Sequence, residues 1–217
     1  MFEALLAAAR PVLVPAFTLL ASQVTWLELL AFGLSIAMVL ANLRIHVIAW
    51  PLAIASSLLY ALLFAHSRLY GEASLQLFFI AVSLWGWWQW SASKGQDGQA
   101  LQVHRLTPRG RTAALLATLA AWPVLALGLA RYTDSDVPWL DALPSVASVT
   151  GQMLLGRKLL ENWPVWLAVN VFSVGLFAYK GLWLTVMLYA IFAALSVWGW
   201  RVWLRHARFT QQAVRAH

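Results

Sequence analysis

The sequence predicts an all-α integral membrane protein with seven transmembrane helices. Of its 217 residues, 62% are hydrophobic and only 11% are charged, whereas soluble domains carry about 25% charged residues. The charges are grouped, and several of the uncharged runs between them reach the roughly 20 residues needed to cross a hydrocarbon core. Because lipid cannot satisfy backbone hydrogen bonds, these runs are predicted to be helices. A long internal repeat, described below, predicts how the helices are arranged.

The elements follow from the positions of the charged and polar segments. The apolar stretch at 11–22 is short and interrupted by Pro11 and Pro15, so residues 1–24 are predicted to form an interfacial segment rather than a span. The polar, glycine-containing residues 91–110 are typical of a connector, and residues 205–217 are predicted to form a tail. The predicted spans are 25–43, 46–66, 70–92, 112–131, 138–156, 160–179 and 181–204.

The distribution of lysine and arginine predicts the orientation, because cytoplasmic loops carry the excess of these residues. Four of them fall on one side of the predicted spans: Arg10, Arg68, Arg131 and Lys180. Eleven fall on the other: Arg44, Lys94, Arg105, Arg109, Arg111, Arg157, Lys158, Arg201, Arg205, Arg208 and Arg215. The second side is predicted to be cytoplasmic, with the C-terminus inside and the N-terminus outside. The net charge of +7 is thus explained by topology and does not call for a nucleic-acid partner.

The second half of the chain repeats the first. Residues 26–90 align without a gap on residues 139–203, with 20 identities in 65 positions that include Trp, Pro, Gly and Arg. Each copy holds three helices, so helix 4 is predicted to act as a spacer that restores the orientation of the second copy. The predicted domains are repeat 1 (25–92), the connector and spacer helix (93–131) and repeat 2 (132–204). Parallel repeats of this kind occur in transporters, whose substrate sites lie near the midplane between them.

The composition argues against an enzyme. The chain has no cysteine and no HExxH, GxSxG or P-loop motif, and its acidic residues lie at the ends of the predicted spans. No catalytic residue, metal site or cofactor is therefore predicted. A structural or signalling membrane subunit without a substrate is the remaining alternative from another class.

Helix 6 carries the main candidate site. Trp163, Trp166 and Asn170 are spaced i, i+3, i+7 and share one helical face. Asn170 lies near the midpoint of its span and offers two donors and an acceptor, and Trp166 offers a flat face for an aromatic or cationic ring. Asn in membrane helices also bonds neighbouring helices, so the residues alone leave substrate binding and helix packing both open.

Other polar residues of the spans complete the predicted substrate set. Gln76 on helix 3 and its repeat-2 equivalent Tyr189 are predicted to line a pocket with Asn170, and Ser56 on helix 2 joins them. Ser57 and Ser83 are interpreted as bonding their own helices. The tryptophans at the ends of helices 3 and 7 are interpreted as an interfacial aromatic belt: Trp85, Trp87, Trp88, Trp90, Trp198, Trp200 and Trp203.

Over residues 25–204 the two repeats resemble the PnuC family of vitamin transporters. The resemblance rests on three stretches: Leu69-Tyr70…Gln76-Leu77-Phe78-Phe79…Trp85-Gly86-Trp87, Arg157-Lys158…Glu161-Asn162-Trp163…Trp166…Asn170, and Gly181…Tyr189…Gly199…Trp203. It implies a fold like that of the sugar-transporting SWEET proteins, a bacterial inner-membrane location and a homotrimer. It also implies energy-independent uptake of nicotinamide riboside, trapped by a cytoplasmic kinase, with Gln76, Trp166 and Asn170 in the binding set.

Two departures leave the vitamin open. Ser56 stands where Asn is expected in riboside carriers, and Leu188 stands where at least one member has Glu. Related members carry thiamine or riboflavin. Thiamine is cationic, so tryptophan faces suit it through cation–π contact.

Overall fold

The computed structural model describes residues 14–19, 22–66, 70–92, 102–133, 137–179 and 183–215. Residues 1–13 and 20–21 of the predicted interfacial segment and 93–101 of the predicted connector lie outside the described residues. Among the described residues there are seven helices, as predicted: α1 (Trp26–Leu43), α2 (Ala49–His66), α3 (Tyr70–Ala92), α4 (Pro108–Tyr132), α5 (Pro138–Gly156), α6 (Asn162–Tyr179) and α7 (Trp183–Arg215).

Some helix ends differ from the prediction. Helix α4 begins at Pro108 rather than residue 112, because Thr107 caps it by accepting a 3.1 Å hydrogen bond from the Gly110 amide and Pro108 suits the first helical position. Helix α7 continues beyond residue 204 to Arg215. The sequence after Gly199 contains no glycine or proline to stop it.

A short hairpin precedes the helices. Strands β1 (Pro15–Leu19) and β2 (Ser22–Thr25) pair antiparallel, which the prediction of an interfacial segment did not include. Valine, threonine and phenylalanine favour extended backbone here. Thr25 then caps α1, its hydroxyl accepting from the Glu28 amide at 3.2 Å.

Within the part of the chain that the structure describes, three helices are long and apolar enough to cross a membrane by length and composition: Trp26–Leu43, Pro108–Tyr132 and Trp183–Ala207. Consecutive helices pack together within each half of the chain, as α1–α2–α3 and as α5–α6–α7. Two contacts join the halves, α1 with α7 and α3 with α5. Helix α4 packs mainly on α5 and is otherwise exposed.

The turns after α1 and α5 have the same geometry. Ile45 and Lys158 adopt positive φ angles of 54° and 52°. The next residue in each turn donates to a carbonyl five residues back, His46 to Ala41 at 3.0 Å and Leu159 to Leu154 at 2.9 Å. This is the Schellman ending of a helix, which usually has glycine at the left-handed position. Ile45 and Lys158 align with each other in the internal repeat.

Two glycines let helices approach buried indoles, and they too occupy equivalent positions of the repeat. A β-carbon at Gly86 would overlap the Trp50 ring, and a β-carbon at Gly199 would overlap the Trp163 ring. Trp50 and Trp163 are 1% and 3% exposed. Close packing of α2 on α3, and of α6 on α7, therefore depends on these glycines.

Four indoles form a chain across the contact between the halves, which we call the four-tryptophan cluster: Trp50, Trp90, Trp203 and Trp163. Successive ring centroids are 5.4, 6.2 and 5.5 Å apart, and the two outer pairs meet edge to face. Trp90 Nε1 donates to the Leu155 carbonyl at 3.1 Å and Trp203 Nε1 to the Asn42 carbonyl at 3.0 Å.

The cluster corrects the aromatic-belt interpretation for two residues, and Trp85, which is half-buried against Gly156 of α5, departs from it as well. Trp203 is fully buried and Trp90 is half-buried, so both point inward rather than toward the membrane surface. Trp87, Trp88, Trp198 and Trp200 are 37–59% exposed, as an interfacial belt requires. The inward pair is fixed by its bonds to backbone carbonyls of α5 and α1.

Candidate substrate-binding site

Asn170 lies in the middle of α6 and points toward α7. Its side chain is 3% exposed, and its Nδ2 donates to Ser196 Oγ at 3.1 Å. Ser196 in turn donates to the Phe192 carbonyl of its own helix at 2.7 Å. Asn170 thus performs the helix-packing role in this structure.

Trp166 lies one turn before Asn170 but faces α5. A β-carbon at Gly151 would be 3.1 Å from Trp166 Cε2 and 3.2 Å from its Nε1, so the indole lies across that glycine. The ring is half-buried. Trp166 and Asn170 therefore lie on the interior side of α6, toward α5 and α7 respectively.

Ser56 belongs to a buried polar group between α1 and α2. Its Oγ lies 2.6 Å from Ser35 Oγ, and both hydroxyls are within hydrogen-bonding distance of the Ala31 carbonyl, at 3.2 and 2.9 Å. Tyr60, one turn after Ser56, hydrogen-bonds Ser35. The sequence analysis missed Tyr60. Its spacing of four residues from Ser56, on the same face of α2, is the signal that would have found it.

Tyr189 belongs to the polar group on α6 and α7. Its ring centroid is 5.1 Å from Phe177 on α6 and 6.1 Å from Phe192 on its own helix. We call this group on α6 and α7, together with the group between α1 and α2, the central polar seam: Ser35, Ser56, Tyr60, Asn170, Tyr189 and Ser196. It combines hydroxyl, amide and aromatic groups at the middle of four helices.

Three predicted site residues are not members of this seam: Trp166, which lies across Gly151 of α5, and Trp163 and Gln76. Trp163 belongs to the four-tryptophan cluster, and its buried indole nitrogen has no hydrogen-bond partner among the described residues. Gln76 is half-buried on α3, and the described hydrogen bonds do not link it to the seam.

A second interhelical pair was also missed. Gln152 of α5 donates to Ser83 of α3 at 3.4 Å, and both side chains are buried. Ser83 was interpreted as bonding its own helix only. Within the described part of the chain, no group of three or more metal-binding side chains occurs.

Residues 25–205 match the sequence model of the nicotinamide mononucleotide transporter family. The chain belongs to this family. It is 28% identical over 174 residues to the nicotinamide riboside transporter PnuC of Escherichia coli K12, covering 69% of this chain and 73% of that protein. It is 29% identical over 197 residues to the riboflavin/roseoflavin transporter RibM of Streptomyces davaonensis, covering 89% and 91%.

A crystal structure of the vitamin B3 transporter PnuC has the same fold. The TM-score is 0.70 at 23% sequence identity, over 84% of this chain and 82% of that one. The predicted resemblance to the PnuC family is therefore confirmed. The relatives are transporters, so the prediction of a membrane transporter rather than an enzyme is confirmed as well.

Proposed function

We propose that the protein imports nicotinamide riboside across the bacterial inner membrane by facilitated diffusion, with the central polar seam as its binding site. The observation that supports this most is family membership over residues 25–205, together with a buried seam of neutral hydrogen-bonding groups. Nicotinamide riboside carries a carboxamide, ribose hydroxyls and a cationic ring. Each of these has a counterpart in the amide, hydroxyl and aromatic side chains of the seam.

Binding would exchange internal hydrogen bonds for bonds to substrate. Asn170 would release Ser196, and Ser56 would release Ser35, each taking up a polar group of the vitamin. Because partners are exchanged and not lost, the opening of the seam would require little net free energy. Trp166 and Tyr189 would supply flat faces for the ring. Gln76 would join this set if α3 moved toward the seam, and Trp163 would support Trp166 from the preceding turn.

The seam contains no carboxylate, which supports transport without ion coupling. Glu28 lies outside the seam, in the first turn of α1. Direction would then come from phosphorylation by a cytoplasmic kinase. Uptake into proteoliposomes with and without a proton gradient tests this mechanism, with Glu28→Gln as the variant. Uptake that requires the proton gradient would exclude facilitated diffusion. Loss of that requirement in Glu28→Gln would identify Glu28 as the coupling group.

We also propose the 3+1+3 arrangement of parallel repeats, related to the SWEET fold, with seven spans, α4 as the spacer and the C-terminus inside. This proposal includes the domain boundaries predicted from the sequence. The supporting contacts are the Schellman turns at Ile45 and Lys158 and the Gly–Trp contacts at Gly86 and Gly199, each pair at equivalent positions of the two repeats. Accessibility of single cysteines in intact cells tests the orientation, since the chain has no native cysteine.

The experiment for the site compares two asparagines of one helix. Asn170→Ala should weaken riboside binding by about 1–3 kcal/mol, because buried partners lose their hydrogen bonds. Asn162→Ala is the matched control: the residue is equally buried on α6 but bonds the Leu159 carbonyl at 2.6 Å, outside the seam. Calorimetric titration of folded protein measures both. Equal affinities for the two variants would contradict the site.

Riboflavin is the second candidate, because the match to RibM extends over 89% of this chain. Ser56, where riboside carriers are expected to have Asn, gives a discriminating variant. If the riboside is the substrate, Ser56→Asn should retain or improve its uptake. Competition of labelled riboside by riboflavin and by thiamine decides among the three vitamins. The homotrimer remains a prediction, which light scattering of the purified protein tests.

A further inference from the structure

A cavity lies away from the seam, at the predicted cytoplasmic end of the helices. Its volume is about 370 Å³, and it is lined by the following residues: Arg105, Arg111, Leu160, Glu161, Pro164, Trp200 and Leu204. It is formed where the connector and the start of α4 meet the turn before α6 and the last part of α7. It combines cationic and apolar walls.

The connector is held in place by one carboxylate. Glu161 accepts from the Leu106 amide at 3.0 Å and pairs with the Arg111 guanidinium at 2.8 Å. A parallel bridge between His104 and Leu159 adds backbone hydrogen bonds, and Val103 is buried against the helices. These contacts place Arg105 at the wall of the cavity.

The charge balance of the cavity is positive. Glu161 is the single carboxylate of the lining and is engaged by Arg111, while Arg105 has no ion pair within the described chain. The cavity also adjoins the start of α4, which has no acidic residue in its first turn. Helix N-termini carry partial positive charge and bind anions. An anion is therefore the complementary ligand.

The apolar wall indicates an amphiphilic anion. Leu160, Pro164 and Leu204 line the cavity beside the arginines, and Trp200 is 37% exposed at its edge. Tryptophan at this depth is typical of the headgroup level of a membrane. Basic pockets between helices on the cytoplasmic side are suited to phosphate-bearing headgroups.

We propose that this cavity binds the phosphate of an anionic phospholipid. Arg105 and the free edge of the Arg111 guanidinium would hold the phosphate oxygens. The glycerol and the first acyl carbons would lie against Leu204 and Trp200. The lipid would fasten the connector and α4 to the end of α7, independently of the substrate seam.

The test measures thermal unfolding of the purified full-length protein in detergent, with added phosphatidylglycerol or with phosphatidylcholine of the same acyl chains. Phosphatidylglycerol should raise Tm by roughly 2–4 °C, and phosphatidylcholine should not. In Arg105→Gln, the phosphatidylglycerol concentration that gives half of the rise in Tm should be about fivefold higher. Arg131→Gln, which removes the same charge at the other end of α4, should leave it unchanged.

Three results would overturn the proposal. The first is equal stabilisation by the two lipids. The second is an equal loss in Arg105→Gln and Arg131→Gln, which would indicate a general charge effect. The third is equal stabilisation by inorganic phosphate at the same concentration, which would identify a soluble anion as the ligand and exclude the lipid.

Discussion

Gly199→Ala places a β-carbon in the space of the Trp163 ring. The overlap involves Cη2, Cζ3 and Cζ2, the outer edge of the six-membered ring. The indole cannot easily move away, because it is 3% exposed and meets Trp203 edge to face at 5.5 Å. Overpacking a well-packed core destabilises it by about 1–3 kcal/mol.

Helix propensity opposes this effect, since alanine favours a helix interior by about 0.5–1 kcal/mol over glycine. Gly128→Ala on α4 is the matched control, because a β-carbon there has no neighbour within 4 Å. The two variants share the propensity gain, so their difference isolates the packing contribution. At roughly 2–4 °C per kcal/mol for a chain of this size, Gly199→Ala should unfold roughly 2–12 °C below Gly128→Ala.

Differential scanning calorimetry in one detergent measures this difference. Adding Trp163→Phe to Gly199→Ala should recover part of the loss, because phenylalanine does not reach the overlapping edge. If Gly199→Ala and Gly128→Ala unfold at the same temperature, the close contact between α6 and α7 is refuted. If the second substitution recovers nothing, the instability arises elsewhere.

Three further predictions concern single side chains. Glu161→Gln should destabilise the protein by about 1–2 kcal/mol in thermal unfolding, mostly by weakening the hydrogen bond from the Leu106 amide. The ion pair contributes less, because Arg111 is half exposed and the pair is screened by solvent. An unchanged Tm would contradict the role of Glu161 in anchoring the connector. Burial lowers the pKa of the Lys158 ammonium from its ordinary 10.5, so the unfolded chain binds this proton more tightly than the folded one. The free energy of unfolding should therefore rise as pH increases from the lowered pKa toward 10.5. Lys158→Gln should lack that rise, and identical pH profiles of the two proteins would refute the prediction. Asn170→Ala should reduce riboside uptake by about tenfold or more at low substrate concentration, following its weaker binding; normal uptake by folded protein would remove Asn170 from the site.

The helices could be predicted because charges mark their ends, but their orientation about their own axes could not. Lipid tails are as apolar as leucine, so a face toward lipid and a face toward protein have similar compositions. Trp90 and Trp203 were assigned to the membrane surface for this reason. Only their indole N–H groups, which reach carbonyls of another helix, distinguish them from the exposed Trp88 and Trp198.

The same physics explains what was and was not predicted of the candidate site. Asn170 and Ser56 attract attention in any apolar span, because their polar groups require partners there. Tyr60 does not, since its ring suits an apolar helix and its hydroxyl depends on Ser35 of the preceding helix. The start of α4 was missed because it is set by a local cap at Thr107 and not by hydropathy.

The four-tryptophan cluster also gives the protein an optical property. Indoles held 5.4–6.2 Å apart at fixed angles couple their electronic transitions and produce a strong near-ultraviolet circular dichroism signal. The central pair, Trp90 and Trp203, takes one ring from each half of the chain. Any motion that separates the halves at this end would weaken the signal. Near-ultraviolet circular dichroism can therefore follow such a motion during transport in the unlabelled protein.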